Sequence, residues 1–331
     1  MASESDLAKY QQKSITKVDE YVCTLSEEGK KIAFEQLGET EELRKNSIKK
    51  IRDWILNNPR IEKARLDSKI ILRYLRHHKY DIACTKESYE RNLIFREGLY
   101  GMDWFTNLDF ERPYIKELLE NGLICVLPDN LPTGERVICA KFSAANTQIP
   151  DVVNLGLCLA TLVFETLLED EENQVRGFRY IFDVSGVSLR HYFLLSFTTW
   201  FKVLKNCERT YGGRHRGGYI LNLPKPLIFV LKLMFKNMQQ KMRDGIKLCS
   251  SLDDIDVIER DKLPDIFGGN FPIKEIADSW TKKLTEMRQF FLNYNNMKIN
   301  HELYTPAVLN CEVKTLSHRL ENPSAKLLKE Y

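Results

Sequence analysis

The sequence lacks most of the signatures that announce catalysis or secretion. It contains no CxxC pair, no GxGxxG or GK[ST] loop and no GxSxG elbow, so zinc ribbons, phosphate-cradling loops and the common serine hydrolase turn have no support. Its first residues, MASESDLAKYQQKSITK, include no apolar core, and without one a secretory signal is not expected, which leaves the cytosol as the expected compartment. The apolar run Leu227 to Leu231 is broken by Lys232, far short of the roughly 20 residues a bilayer span requires. The eight cysteines, Cys23, Cys84, Cys125, Cys139, Cys158, Cys207, Cys249 and Cys311, are scattered. Most lie in apolar runs, where a free thiol packs as a small hydrophobe, and they read as reduced core residues rather than a disulfide framework.

What is present is an ordinary globular composition, 43% hydrophobic and 29% charged over 331 residues, enough for a main domain with helical additions. A formal charge of +3 says little; its distribution says more. Between Lys202 and Lys247 eleven cations face only Glu208 and Asp244, a local excess of +9, and the EDEE run Glu169 to Glu172 lies just upstream. That acidic run reads as a solvated loop.

Apolar spacing over Glu41 to Leu56, and the caps Asp67 and Asp81 ahead of SKIILRYLRHHK and IACTKESYERNLIFRE, predict helices with no strand in the first hundred residues. After Asp109 short apolar runs alternate with helical ones. Gly122 to Pro128 and Arg136 to Phe142 flank turn residues and read as paired strands; Phe178 to Gly186, Gly217 to Pro224 and Gly245 to Ser251 continue the series, with helices at Val152 to Leu168, Leu189 to Asn206 and Leu227 onward. Such alternation implies an α/β fold with a mostly parallel sheet. Ile273 to Tyr294 reads as one amphipathic helix, and the polar remainder as a wrap or a loose tail.

The helices at 152–168 and 191–201 carry more apolar surface than one sheet face can cover, and an internal cavity is one use for it. Asp183, Ser185 and His191 are the one conceivable hydrolytic set, but DVSGV is not an elbow; Asp183 and Ser185 read instead as satisfying a strand end, and no enzyme activity or cofactor is expected. His77 and His78 are adjacent, hence about 100° apart on a helix, so they cannot share a metal and read as solvated positions. Arg214, His215 and Arg216 precede a predicted strand. They are either ordinary surface charge or an anionic-lipid site beside apolar surface. Nucleic acid is disfavoured because no aromatics interleave with the cations.

The segments LRYLRHHKYDIACTKESYERNLIFRE, FDVSG and KLPDIFGGNF, in that order, resemble the CRAL-TRIO lipid-transfer family, and within it the tocopherol- and retinaldehyde-binding branch. The likeness covers about Glu41 to Ile276. It departs at Val187, where many members have Trp, at Ile266 and Phe267, where many have Glu and Tyr, and at Arg190, where a small polar residue is common. The resemblance implies a helical region at 1–109, a lipid-binding domain at 110–272 whose sheet floors a hydrophobic cavity closed by a helical gate, and a C-terminal helix and tail at 273–331. The gate would be PLIFVLKLMFKNMQQKMRDG (226–245). The cavity would be lined by Phe164, Tyr180, Phe182, Phe193, Phe197, Trp200, Ile220, Phe229 and Leu233, with Tyr180, Ser185 or Ser196 as its few polar groups. Phosphoinositide phosphates would meet Arg214, Arg216, Lys236, Lys241 and Arg243. The implied function is intracellular binding and transfer of a retinoid, tocopherol or similar lipid, with release at phosphoinositide-containing membranes, by a cytoplasmic monomer that visits membranes transiently. A phosphoinositide-sensing adaptor and a phospholipid exchanger are the alternatives on the same fold.

Overall fold

In a computed structural model, residues 4–96, 103–194, 210–225 and 243–310 and the single positions 203, 207, 228 and 316 are described. Five strands form the central sheet in chain order: β2 (Ile124–Val126), β3 (Arg136–Lys141), β4 (Phe178–Asp183), β5 (His215–Leu221) and β6 (Ile246–Cys249). The Asp129–Gly134 turn folds β2 back antiparallel on β3, and the later pairs are parallel, as crossovers carrying helices require. The fold is α/β with a mostly parallel sheet, as expected.

Helices surround it. α1 (Glu4–Gln11), α2 (Glu27–Leu37), α3 (Glu41–Asn57), α4 (Ser68–His77) and α5 (Ile82–Arg96) precede the sheet; α6 (Ile115–Glu120), α7 (Val152–Leu168), α8 (Glu171–Arg176) and α9 (Leu189–Phe193) interleave with it. Asp67 caps α4 by accepting from the Ile70 N–H, and Asp81 accepts from the Cys84 N–H at the start of α5. The sequence predicts both caps. Gly38 ends α2 in the left-handed region at φ 68°, which glycine enters without a Cβ penalty. The turn sends Glu39 inward, where it is 6% exposed.

The helical shell is joined to the sheet domain by buried charge. Arg73 Nη1 and Nη2 donate to the two Glu165 oxygens at 2.6 and 3.1 Å, and Arg96 reaches the same carboxylate at 3.5 Å. Arg76 donates to both Glu39 oxygens at 2.9 Å and to Glu171 and Gln174 at 2.8 Å. Arg65 bridges Asp67 and Glu169 and donates to the Tyr294 hydroxyl. Burial alone would raise the Glu165 pKa, but Arg73 and Arg96 outweigh it and hold the carboxyl below its ordinary value.

Four sequence expectations need correction. The acidic run is not a solvated loop: Glu171 is 1% exposed and also accepts from the Tyr21 and Thr24 hydroxyls. A strand does occur in the first hundred residues, because β1 (Ile61–Lys63) pairs antiparallel with β7 (Lys298–Ile299). Such a short strand has no pattern of its own; its partner lies at the far end of the chain. The helix predicted at 273–294 divides at Met287 into α10 (Ile273–Glu286) and α11 (Arg288–Tyr294). Finally, His77 and His78 are half-buried; His77 Nδ1 lies 2.7 Å from the Gly213 carbonyl, and burial lowers the His78 pKa to about 4. Beyond Asn295 the chain wraps the N-terminal helices as far as α12 (Pro306–Leu309), and Ile299, Tyr304 and Val308 join their hydrophobic cluster.

Glu165→Ala strands Arg73 and Arg96 as buried cations, a change that costs about 3–5 kcal/mol; the urea midpoint should fall accordingly, and an unchanged midpoint would refute the pairing. Glu39, Asp67 and Glu165 all have folded pKa values below their unfolded ones. Their stabilisation is therefore complete above the unfolded carboxyl range and is lost as pH falls through the folded values. Urea midpoints measured downward from pH 6 should begin to drop near pH 4.5, the ordinary Glu value.

Candidate functional site

Alternation along the strands divides the sheet into two unlike faces. The cross-strand rows Ile138, Tyr180, Gly218, Ile246 and Ala140, Phe182, Ile220, Leu248 share one face. Cys139, Ile181 and Tyr219 lie on the other, at 0–1% exposure, inside the main hydrophobic cluster. On the first face Tyr180 and Phe182 are only half-buried, and Leu248 is 40% exposed.

This first face carries a row of rings. Phe142 stacks on Phe182 at 6.0 Å, Phe182 on Tyr180 at 5.7 Å, Tyr180 lies 5.6 Å from His215, and His215 lies parallel to Phe164 at 6.2 Å. Phe164 comes from α7 and is held by Phe178 and Tyr211, at 4.8 and 5.1 Å. Gly213 makes room for it: a Cβ there would stand 2.6 Å from Phe164 Cζ. Of the residues predicted to line a cavity, Phe164, Tyr180, Phe182 and Ile220 meet on this face. Phe193, on α9, is 84% exposed. Phe197, Trp200, Phe229 and Leu233 lie outside the described residues, as does nearly all of the gate stretch.

The basic triplet separates. β5 begins at His215, two residues earlier than the sequence suggests, and opens with a bulge: His215 pairs with Phe178 and Gly217 with Arg179, so alternation is reset and His215 joins the aromatic face, while Arg214 and Arg216 reach to the end of α8. The sequence places the three together ahead of a strand expected to start at Gly217, and no local pattern marks the earlier start. Arg214 Nη2 and Arg216 Nη2 converge on one acceptor, the Gln36 side-chain oxygen of α2, at 3.0 and 2.7 Å. Arg216 Nε donates to the Arg176 carbonyl at 2.7 Å and Arg214 Nη1 to that of Val175, both at the C-terminal end of α8. Among the described residues neither makes an ion pair, although the Glu135 carboxylate acts on Arg216 from farther off. Burial, and for Arg214 also the neighbouring Arg216, lowers both pKa values, that of Arg214 to about 10. Gln36 carries no sequence signal of this role. Arg243 faces Asp244 at 3.5 Å, two residues before Gly245, whose carbonyl accepts from Gly218 of β5. Lys236 and Lys241 lie outside the described residues.

The hydrolytic set does not assemble. Asp183 accepts from Lys141, from the Ser185 N–H and hydroxyl and from Asn222, tying three strand ends together, as a structural role requires. His191 instead pairs with Ser188 at 2.8 Å and with the Ala145 carbonyl at 3.0 Å. Among the described residues no cluster of three or more His, Cys, Asp or Glu could hold a metal, and no helix is long and apolar enough to cross a membrane.

These features define an α/β fold whose parallel sheet presents one packed face and one aromatic face that described residues leave half covered. Residues 120–269 match the CRAL/TRIO domain, which places this stretch of the chain in the CRAL-TRIO family. It is 26% identical to clavesin-1 of Pongo abelii over 91% of this chain and 88% of that protein. It is 27% identical to an alpha-tocopherol transfer protein-like protein of Mus musculus, over 82% and 78% respectively. Among solved structures, the crystal structure of Sfh5 aligns with a TM-score of 0.43 at 12% identity, covering 80% of this chain and 99% of that one, too low a score to bear on the fold.

Gly213→Ala forces Phe164 off His215 or strains the backbone. Overpacking of this kind costs about 1–3 kcal/mol, and a urea midpoint equal to the parent's would show that Phe164 does not close over Gly213.

Proposed function

We propose that this protein carries a hydrophobic small molecule against the aromatic sheet face and unloads it at phosphoinositide-containing membranes. The observation that carries the reading is the arginine pair. Arg214 and Arg216 converge within hydrogen-bond distance of one neutral oxygen, and among the described residues the carboxylate whose charge reaches them, Glu135, acts on Arg216 without an ion pair; a phosphate between two guanidinium forks would add counter-charge with matched geometry. Arg243, and from the sequence Lys236 and Lys241, would extend the anionic site. The half-covered row Phe182, Tyr180, His215 and Phe164 supports an apolar cargo, since ligand sites are mostly apolar and aromatic with a few fixed polar groups. In this reading the chain acts as a cytoplasmic, non-enzymatic monomer that visits membranes transiently, with residues 110–272 as its cargo domain. Retinoid, tocopherol and other neutral lipids are the cargo classes in view.

Each cation near an anionic membrane surface contributes about 1 kcal/mol. Replacing both arginines, Arg214→Ala with Arg216→Ala, should therefore weaken binding to vesicles containing phosphatidylinositol bisphosphate by roughly 30-fold. Retention of a loaded fluorescent lipid in the absence of vesicles should stay at the parent's level. Transfer from loaded protein to vesicles with and without the phosphoinositide reads both. Equal rates and an equal phosphoinositide response for parent and double variant would reduce the pair to surface charge.

A further inference from the structure

The arginine pair is already occupied from within the chain. Gln36 of α2 is exposed, yet its side-chain oxygen accepts from Arg214 Nη2 at 3.0 Å and from Arg216 Nη2 at 2.7 Å. Neither guanidinium depends on that oxygen for its position. Arg214 Nη1 donates to the Val175 carbonyl, and Arg216 donates through Nε to the Arg176 carbonyl at 2.7 Å and through Nη2 to that of Val175 at 3.5 Å. These carbonyls belong to the last turn of α8, where a helix leaves its C=O groups without intrahelical partners. The backbone thus aims both guanidinium groups at one point, and Gln36 fills it.

α2 is pinned independently of Gln36. At its start the Ser26 N–H donates to Glu172 at 2.7 Å and Glu28 pairs with Arg176 at 3.1 Å. Ala33 shares a small buried cluster with Leu25 and Val175, and Glu39, just past Gly38, is held by Arg76 at 2.9 Å. The Gln36 side chain can therefore leave the arginines by rotating into solvent while the helix stays in place. The exchange favours an anion. A phosphate presents several charged oxygens to two guanidinium forks and pairs with them bidentately, whereas the amide has one neutral oxygen to share between them. Burial and the neighbouring Arg216 already depress the Arg214 pKa to about 10, so added negative charge is stabilised there. The spacing sets the size of the occupant, because two Nη2 atoms that reach the same oxygen stand apart on the scale of a single phosphate group.

We propose that Gln36 is a built-in occupant of the anion site, displaced when a phosphomonoester of a membrane headgroup arrives, and that it sets how tightly that phosphate is held. The inference rests on the phosphoinositide reading of the arginine pair and adds to it a competing residue from the N-terminal helices. Gln36→Ala and Gln36→Glu in the full-length chain test it, each titrated with vesicles containing phosphatidylinositol bisphosphate and with soluble inositol trisphosphate. Removing the competing oxygen in Gln36→Ala should tighten binding of both by about fivefold, the equivalent of about 1 kcal/mol for one net hydrogen bond. Alanine favours a helix and position 36 is exposed, so this variant keeps the fold. Gln36→Glu places a carboxylate between the two forks and should weaken both by roughly tenfold. Neither substitution should change affinity once Arg214→Ala and Arg216→Ala are also present, since the competition is for those two side chains. Unchanged or weakened binding in Gln36→Ala, parent-like binding in Gln36→Glu, a gain on vesicles without one on the soluble headgroup, or an effect that persists without the arginines overturns the proposal. A parent chain that binds phosphoinositide vesicles no better than vesicles lacking that lipid sinks the reading of the arginine pair itself.

Discussion

Glu165 sits within the very apolar helix α7 at 0% exposure, and both of its oxygens are occupied by Arg73, with Arg96 and Tyr294 close behind. A carboxylate in that position without partners would carry an effective penalty of several kcal/mol. α7 can therefore bury its surface against the helical shell only when α4 and α5 present those guanidinium groups to it. Arg76 repeats the constraint one turn along α4, where Glu39 and Glu171 meet it, and Arg65 repeats it with Asp67 and Glu169. Apolar area between α7 and its neighbours would tolerate many sliding arrangements. The three arginines do not, because every shift by a residue leaves a buried charge alone.

That fixed docking sets the site. α7 is the helix that delivers Phe164 to the end of the aromatic row, and α8, joined to Arg76 of α4 through the buried Glu171, supplies the carbonyls that seat Arg214 and Arg216. Glu39, held by Arg76, follows the α2 helix whose Gln36 spans the two arginines. The charge network, the ring row and the arginine pair are thus consecutive consequences of one interface.

The sequence made the α/β order, the two capped helices and the boundaries of α7 legible, because each rests on local spacing or on a capping side chain. The role of Asp183 was legible for the same reason: it bonds two residues along, to Ser185. The misread features all depend on partners distant in the chain. EDEE looks solvated until Tyr21, Thr24 and Arg76 are brought to Glu171 from about 95 to 150 positions away. Ile61–Lys63 becomes a strand only because Lys298–Ile299 lies beside it. His215 reads as part of the basic cluster because nothing in the sequence marks the bulge at the start of β5, where His215 pairs with Phe178 and Gly217 with Arg179, and a bulge resets which residues share a face.

The register of β5 carries functional weight for that reason. Within three consecutive residues the strand directs Arg214 and Arg216 to the α8 side and His215 to the ring row. The bulge at the start of β5, where His215 pairs with Phe178 and Gly217 with Arg179, sets His215 in the ring row while Arg216 reaches the α8 carbonyl, so in the proposed carrier an anion held by the arginines and a cargo on the ring row would be close neighbours. In the proposed carrier a headgroup phosphate would be neutralised by the arginines without bringing charge to the ring row. Any influence of one on the other has to pass through β5 and its contacts. Gly217 is the permissive point there, at φ 127°, where a Cβ would lie 2.4 Å from the Gly245 carbonyl at the start of β6. A side chain at that point would part β6 from β5, the strand that carries both Arg216 and His215.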